Sequence, residues 1–465
     1  MTSLDLEWLL RVQKSGPHTL SFQLRTQLRD AIRSGALRCG VRLPSTRSLA
    51  TRLSISRPIV VDVYEQLAAE GYLHIPRCAR PIVADIAQPS RQSDPTPSAP
   101  TAAIRIDLRP AVPDLSQFPR KAWLKAIRLA LEKMPNDALS YDGRHGTLEL
   151  RQVLADYLGR VRGVITSVDQ IIVTSGFAEA RMLACQVLRS AGLLHLAVED
   201  PSYSVWEAVD QAGLTRLPIP VDADGLDVDA LWKSKAQAVF VTPAHQFPTG
   251  VVLSSERRQT LVRWLRDRAA YAFEDDYDAE FRYDHAPVGA LQGLAPDRVL
   301  YAGTVSKTLA PALRLGWLVV PHELVGAVQD QQSRWSEGNP RIDQNALALL
   351  IDSGAYDHHL RRMRRIYRLR RDTLLAELAK RLPEAEITGI AAGMHATICL
   401  PPDLDEAKLV RLVERRGVAL NPMGRYRLTP TTSRPTLLVG YGRATESALR
   451  TAVKILADAV LNLRS

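Results

Sequence analysis

Apolar side chains recur at helical spacing at Leu20, Leu24, Leu28 and Ile32, and Gly35 follows as a natural stop. A short second helix is predicted over Pro44-Ser-Thr-Arg-Ser-Leu-Ala-Thr-Arg-Leu53, with Ser45 or Thr46 as its cap. After the turn Ser54-Ile-Ser56 a third helix begins near Arg57. Pro58 is tolerated there because amides of a first helical turn have no intrahelical partner. Val60, Val63 and Leu67 give this helix an inward stripe, and Gly71 ends it. Residues 72–84, with Ile75, Ile82 and Val83, predict a two-stranded wing. Helix, short helix, tight turn, helix and wing is the order of a winged helix-turn-helix.

The pattern changes beyond residue 104. Short apolar runs, Gln170–Thr174, Leu194–Val198, Ala238–Thr242, Tyr271–Phe273 and Val299–Tyr301, alternate with helical stretches. Such alternation predicts an α/β fold whose sheet is mostly parallel. A long helical region follows Pro321, and Ala396–Leu400 and Leu437–Gly440 read as strands of a smaller closing subdomain. Between the two patterns lies a stretch rich in Pro, Ser and Ala that cannot bury a core. The predicted organisation is a head over residues 12–86, a tether over 87–104 and a body over 105–465.

Composition narrows the class. A chain of 465 residues with 46% hydrophobic and 24% charged positions is an ordinary globular protein too long for one domain. Cys39, Cys78, Cys185 and Cys399 are scattered without a Cys-x-x-Cys motif, so reduced thiols and no metal site are expected. No apolar run reaches membrane-spanning length, and the first residues lack the basic and apolar regions of a signal peptide. These readings place the protein in the cytoplasm with no membrane partner. The net charge of +10 is compatible with a polyanionic partner.

Up to residue 86 there are twelve Lys or Arg against seven Asp or Glu. Arg42, Arg47 and Arg57 fall at the starts of helices, and Arg77 in the wing. Hydroxyls of Ser45, Thr46 and Ser56 suit phosphate oxygens, and Arg57, with the face at Ile59 and Asp62, is a candidate for base contact. The runs Pro44-Ser-Thr-Arg-Ser-Leu-Ala50, Ser54-Ile-Ser-Arg57 and Val63-Tyr-Glu-Gln-Leu-Ala-Ala-Glu-Gly-Tyr-Leu73 resemble the GntR family of bacterial transcription factors. That resemblance implies double-stranded operator DNA as partner. It weakens at Arg77-Cys-Ala-Arg-Pro81, where family members usually carry a Gly-Ser-Gly-Thr-type tip.

In the body, Lys307 lies in Tyr301-Ala-Gly-Thr-Val-Ser-Lys-Thr-Leu-Ala-Pro-Ala-Leu-Arg314, some thirty residues after Glu274-Asp-Asp-Tyr277. A lysine amine, a carboxylate, a phenol and a guanidinium are the groups that hold pyridoxal 5'-phosphate. Asp275 or Asp276 would pair with the pyridinium nitrogen, and spacing does not separate them. Val173-Thr-Ser-Gly-Phe-Ala-Glu-Ala180 reads as a strand end that opens a helix, with the amides of Ser175, Gly176 and Phe177 offered to the phosphate. The pattern resembles fold-type I aminotransferases over most of 105–465. Together with the head, the chain is similar to the MocR subfamily of regulators.

The resemblance implies further roles. Lys307 forms the internal aldimine, Tyr277 bonds the ring hydroxyl, and Tyr203 stacks on the ring. Thr304 and Arg314 hold the phosphate, while Tyr141 reaches the phosphate of a neighbouring subunit, so a homodimer is expected. Two departures stand out. Phe247 replaces the ring-hydroxyl asparagine, in His245-Gln-Phe247-Pro-Thr-Gly250. Leu438 falls where the carboxylate-gripping arginine is usual, with Arg434 and Arg443 nearby. The leading expectation is a regulator sensing the cofactor, or a small amine or amino-acid effector, with little or no transaminase turnover. The rival is a working aminotransferase with an accessory head. The basic run Arg361-Arg-Met-Arg-Arg-Ile-Tyr-Arg-Leu-Arg-Arg371 reads as a solvated helix or a contact for DNA phosphate.

Overall fold

The computed structural model describes residues 10–13, 17–76, 79–86, 104–140, 143–203, 206–283, 288–389, 392–430 and 434–464. The chain divides into two compact units, Met1–Thr101 and Ala102–Ser465.

In the first unit the predicted stripe becomes helix α1, Leu20–Arg33, with Leu24, Leu28 and Ile32 buried. Helix α2, Thr46–Leu53, is capped by Ser45, whose hydroxyl accepts the amide of Ser48. Ser54 then turns the chain through a left-handed conformation, φ 52°, into α3, Arg57–Ala69. Val60, Val63 and Leu67 of α3 are fully buried against Leu24, Leu28 and Leu49. The Tyr64 hydroxyl donates to Pro44 O at 3.0 Å, tying the reading helix to the start of α2. The wing is present: β1, Leu73–His74, pairs antiparallel with β2, Ile82–Val83.

The second unit is built on an eight-stranded sheet. Its strands are β4 Ile171–Thr174, β5 His195–Asp200, β6 Thr215–Asp222, β7 Gly225–Leu226, β8 Ala238–Val241, β9 Tyr271–Asp276, β10 Val299–Thr304 and β11 Gly316–Val319. The short β3, Ile106–Asp107, precedes them and pairs elsewhere. The spatial order is β4-β11-β10-β9-β8-β5-β6-β7. From β10 through β6 all neighbours are parallel, whereas β11 runs antiparallel to both β10 and β4. Strands covered on both faces read as unbroken apolar runs, and β4 and β8 are buried at every position.

A second sheet, in the order β12-β13-β16-β15, forms the smaller subdomain. It comprises β12 Glu386–Thr388, β13 His395–Cys399, β15 Asn421–Pro422 and β16 Thr436–Gly440, while β14, Val418–Ala419, pairs with β3. The 27-residue helix Ala355–Arg381 buries Leu360, Met363, Tyr367, Leu374 and Leu378. Its basic run is therefore amphipathic: Arg370 turns inward to Asp114 at 2.6 Å, and Arg361 and Arg365 remain exposed. With His358, Arg364 and Arg368 they line a cleft of about 440 Å³.

Candidate functional site

The body site forms where ligands gather in open α/β sheets, beyond the carboxyl ends of the parallel strands. Strand β9 continues through Asp276, so both candidate aspartates sit inside it. Neighbours on a strand face opposite ways, and that separates them. Asp276 Oδ2 is 2.7 Å from Arg162 Nε, with both side chains at most 3% exposed, and accepts the Tyr301 hydroxyl at 2.6 Å. Asp275 faces the other side. Its Oδ1 is buried without a hydrogen-bond partner, as is Asp276 Oδ1, but here Lys307 and Arg181 are the cations acting on the carboxyl. Burial and the charge of Asp276 push the Asp275 carboxyl well above the usual carboxylate range.

Lys307 follows β10, and its amine donates to Ala111 O at 2.7 Å. Burial holds this amine below the ordinary lysine value, against the pull of Asp275 and Asp278. The next residue is pinned from the long helix: Tyr356 donates to Thr308 Oγ1 at 2.8 Å, and His359 Nε2 lies 2.9 Å from Thr308 O. Tyr277, largely buried, has its hydroxyl 3.0 Å from His245 Nδ1. Burial raises this phenol far above its usual value, so it stays protonated.

The phosphate end is a cup between β4, β10 and β11. Gly176, at φ 84°, opens the helix Phe177–Ser190. The Arg314 guanidinium lies 3.6 Å from where a Cβ on Gly176 would stand. A Cβ on Gly316 would come within 2.9 Å of Gly176 Cα, so only glycine leaves the cup open. Amides at a helix start have no carbonyl one turn earlier to accept them, which leaves those of Gly176 and Phe177 for a ligand. Ser175 differs from expectation. Its amide donates to the Glu179 carboxylate, its hydroxyl to Asn339, and its carbonyl accepts Arg314 Nη2 at 2.6 Å. Ser175 therefore shapes the cup through Arg314 instead of offering its own amide. Glu179 went unnoticed in the sequence, although an acid three residues into a helix is a recognisable signal. Thr304 Oγ1 lies 3.0 Å from Ser306 Oγ and from Leu315 O.

The remaining wall is apolar. Phe247, Tyr277, Met423, Tyr426 and Leu438 pack together, with Leu438 fully buried. Tyr203, 43% exposed, sets its ring edge-on to Phe247 at 6.0 Å. Neither nearby arginine replaces a carboxylate clamp: Arg434 pairs with Glu386 at 2.9 Å, and Arg443 pairs with Asp107. Tyr141 lies outside the described residues.

In the head, Arg42, Ser45, Arg47, Ser56 and Arg57 are exposed and Thr46 is half-buried. Arg57 Nε is 3.3 Å from Thr46 Oγ1, bringing the starts of α2 and α3 together. The proposed reading face is narrower than expected. Asp62 accepts the Ser21 hydroxyl at 2.9 Å, and Ile59 packs on the core. Arg77 lies outside the described residues.

Two family models match this chain. Residues 20–77 match the gntR family of bacterial regulatory proteins, and residues 111–442 match aminotransferase class I and II. The chain belongs to the MocR-type GntR regulators. It is 32% identical to the uncharacterized HTH-type transcriptional regulator YdeL of Bacillus subtilis, over 93% of this chain and 95% of that one. To the pyridoxine biosynthesis regulator PdxR of Corynebacterium glutamicum the identity is again 32%, over 96% of each. The probable rhizopine catabolism regulator MocR of Rhizobium meliloti is 31% identical over 95% and 94%. Among solved structures, the Pyrococcus horikoshii kynurenine aminotransferase, in complex with PMP, superposes at TM-score 0.70. That match has 26% identity and covers 78% of this MocR-type chain and 92% of the enzyme.

Proposed function

We propose that this protein is a transcriptional regulator whose body holds pyridoxal 5'-phosphate at Lys307 and whose head binds operator DNA according to the ligand state of that site. The buried Asp275 carboxyl, on which the Lys307 charge acts while Asp276 is tied to Arg162, carries this reading, with its unpartnered oxygen beside it. A buried acceptor without a donor costs about 1–3 kcal/mol, and a protonated ring nitrogen would supply the missing donor. Tyr277 would give its hydroxyl to the ring oxygen, and Tyr203 would cover a ring face. The amides of Gly176 and Phe177, with Thr304 and Arg314, would enclose the phosphate, and Ser175 would hold Arg314 in place. When bound, the cofactor supplies an aldehyde carbon that condenses with primary amines.

Under this reading, residues 12–86 contact the duplex, 87–104 are the tether, and 105–465 sense the ligand and form a homodimer to which Tyr141 contributes. Arg42, Ser45, Thr46, Arg47, Ser56 and Arg77 would meet phosphates, and Arg57 would reach base edges. The site is cytoplasmic in this account. The apolar wall at Leu438 favours sensing over amino-acid turnover, because Leu438 itself offers a substrate carboxylate no charge, and Arg434 and Arg443 are engaged with Glu386 and Asp107.

Lys307→Ala tests the proposal. Wild-type protein given pyridoxal 5'-phosphate should develop a visible absorbance band that the variant lacks. The variant's operator affinity in a gel-shift titration should no longer respond to the cofactor. A variant with the wild-type spectrum and the wild-type response would overturn the assignment.

A further inference from the structure

Asp278, His245 and Tyr277 form a chain of side chains that the cofactor contacts above do not require. His245 Nδ1 lies 3.0 and 3.1 Å from the two oxygens of Asp278, and the Tyr277 hydroxyl is 3.0 Å from the same nitrogen. Asp278 and His245 are 1% and 3% exposed. One ring nitrogen cannot donate to a carboxylate and accept from a phenol at once. A carboxylate without water needs the stronger donor, so the Nδ1 hydrogen goes to Asp278. The Tyr277 hydrogen must then point elsewhere, into the pocket.

We propose that the Asp278–His245 pair is a positioning device that fixes Tyr277 as the hydrogen-bond donor to the cofactor's ring oxygen, in a pocket where Phe247 offers no second polar donor. This inference rests on cofactor binding at Lys307.

The surroundings are built for the pair. A Cβ on Gly393 would stand 2.3 Å from His245 Cε1 and 2.5 Å from Asp278 Oδ2, so any larger residue expels the imidazole. Gly393 is itself clamped: its carbonyl accepts the hydroxyls of Tyr283 and Tyr441, and its amide donates to Phe281 O at 2.7 Å. His395 lies ring to ring with His245 at 5.1 Å. Burial takes its pKa down to about 3, so it adds no positive charge. The other titratable groups acting on Tyr277 or Asp278 are Glu199, Asp275, Glu280, Lys307, Tyr283 and Tyr441. Among these and the pair itself, His245 Nδ1 is the atom that lies within hydrogen-bond distance of both Asp278 and Tyr277.

The test uses full-length protein loaded with pyridoxal 5'-phosphate and reads the pH midpoint of its visible band. A donor to the ring oxygen favours the anionic ring and keeps that midpoint low. Tyr277→Phe and Asp278→Asn should each raise it by about one pH unit, a tenfold gain in proton affinity. The double variant should move no further than either single one, because both act through one hydrogen bond. His245→Phe should raise the midpoint as well, and His245→Gln, which restores an N–H for Asp278, should bring it back. Should Asp278→Asn not fold, the two His245 variants decide alone. An Asp278→Asn midpoint matching wild type, additive shifts in the double variant, or equal midpoints for His245→Phe and His245→Gln would each overturn the proposal. A wild-type protein without any visible band would instead defeat the cofactor reading beneath it.

Discussion

Adjacent aspartates that face opposite sides of one strand should fail in opposite ways. Asp276→Asn breaks an ion pair of 2.7 Å between side chains that are 1% and 3% exposed. It leaves the buried Arg162 guanidinium without this counter-charge, with a further hydrogen bond to Val288 O at 2.6 Å, while the amide oxygen can still accept from Tyr301. Removing one partner of such a pair costs about 3–5 kcal/mol, a large part of a typical stability of about 5–15 kcal/mol. Asp275→Asn removes a carboxylate whose folded pKa is raised by burial and Asp276. A raised pKa gives stability that is present below the unfolded value and lost as pH rises, so at neutral pH this carboxylate is a net cost. Its amide variant, stripped of cofactor, should be as stable as wild type or more so. The same variant should bind pyridoxal 5'-phosphate about 10–150-fold more weakly, the equivalent of one charge-assisted hydrogen bond of about 1.5–3 kcal/mol. Urea unfolding of stripped protein, followed by the fluorescence of buried Trp123, Trp264 and Trp317, gives the first quantity. An absorbance titration gives the second. If Asp275→Asn lowers the urea midpoint as far as Asp276→Asn does, or if only Asp276→Asn loses cofactor affinity, the register argument is refuted.

Two further substitutions probe the head and the phosphate cup. Arg57→Ala should weaken operator binding by about 1–3 kcal/mol if it reads a base edge, with the cofactor band unchanged; equal gel-shift affinity at fixed salt would defeat that role. Gly316→Ala places a methyl against Gly176 Cα at 2.9 Å and Gly303 O at 3.0 Å, both backbone atoms that cannot swing aside. Overpacking of this kind costs about 1–3 kcal/mol, and the loss should appear in cofactor affinity. A titration matching wild type would show that the cup does not hold the phosphate.

Much of the fold was legible because the core strands are buried on both faces and read as apolar runs bounded by turn residues. Strand β6 escaped notice for a physical reason. Its sequence, Thr215-Arg-Leu-Pro-Ile-Pro-Val-Asp222, carries two prolines, which argue against an interior strand. Near the sheet edge the missing donors cost little, since β6 is fully paired only to β5. Strand β11 was hidden by Gly316 and by a direction opposite to its neighbours. At the site, Lys307, Gly176 and Arg314 were readable from local motifs. Asp275 and Asp276 were separable only through the strand's two-residue alternation. The Asp278–His245 pair was not readable at all. Its members are 33 residues apart and meet because β8 and β9 are parallel neighbours, with Val241 opposite Glu274. Nothing within either segment signals that adjacency.

A regulator also needs its ligand to distinguish two states of the protein, since equal affinity for both shifts nothing. A tenfold change in operator affinity requires about 1.4 kcal/mol of coupling. Among the described residues, hydrogen bonds link the segment that carries Lys307 to a long element. Lys307 is held by Ala111 O, and its neighbour Thr308 is held by Tyr356 and His359 at the start of the helix Ala355–Arg381. Under the proposed reading, joining the amine to the cofactor would give up its bond to Ala111 O, displacement by an incoming amine would free it to reform that bond, and Thr308 would carry the movement to the helix. Tyr356→Phe removes the 2.8 Å bond while keeping the ring that packs edge-on to Tyr157 at 5.6 Å. The variant should retain the visible band and the operator affinity of stripped protein, yet show a smaller difference between stripped and loaded states. If that difference equals wild type in paired gel-shift titrations, the signal leaves the site by another route and the Thr308 contacts serve only to position Lys307.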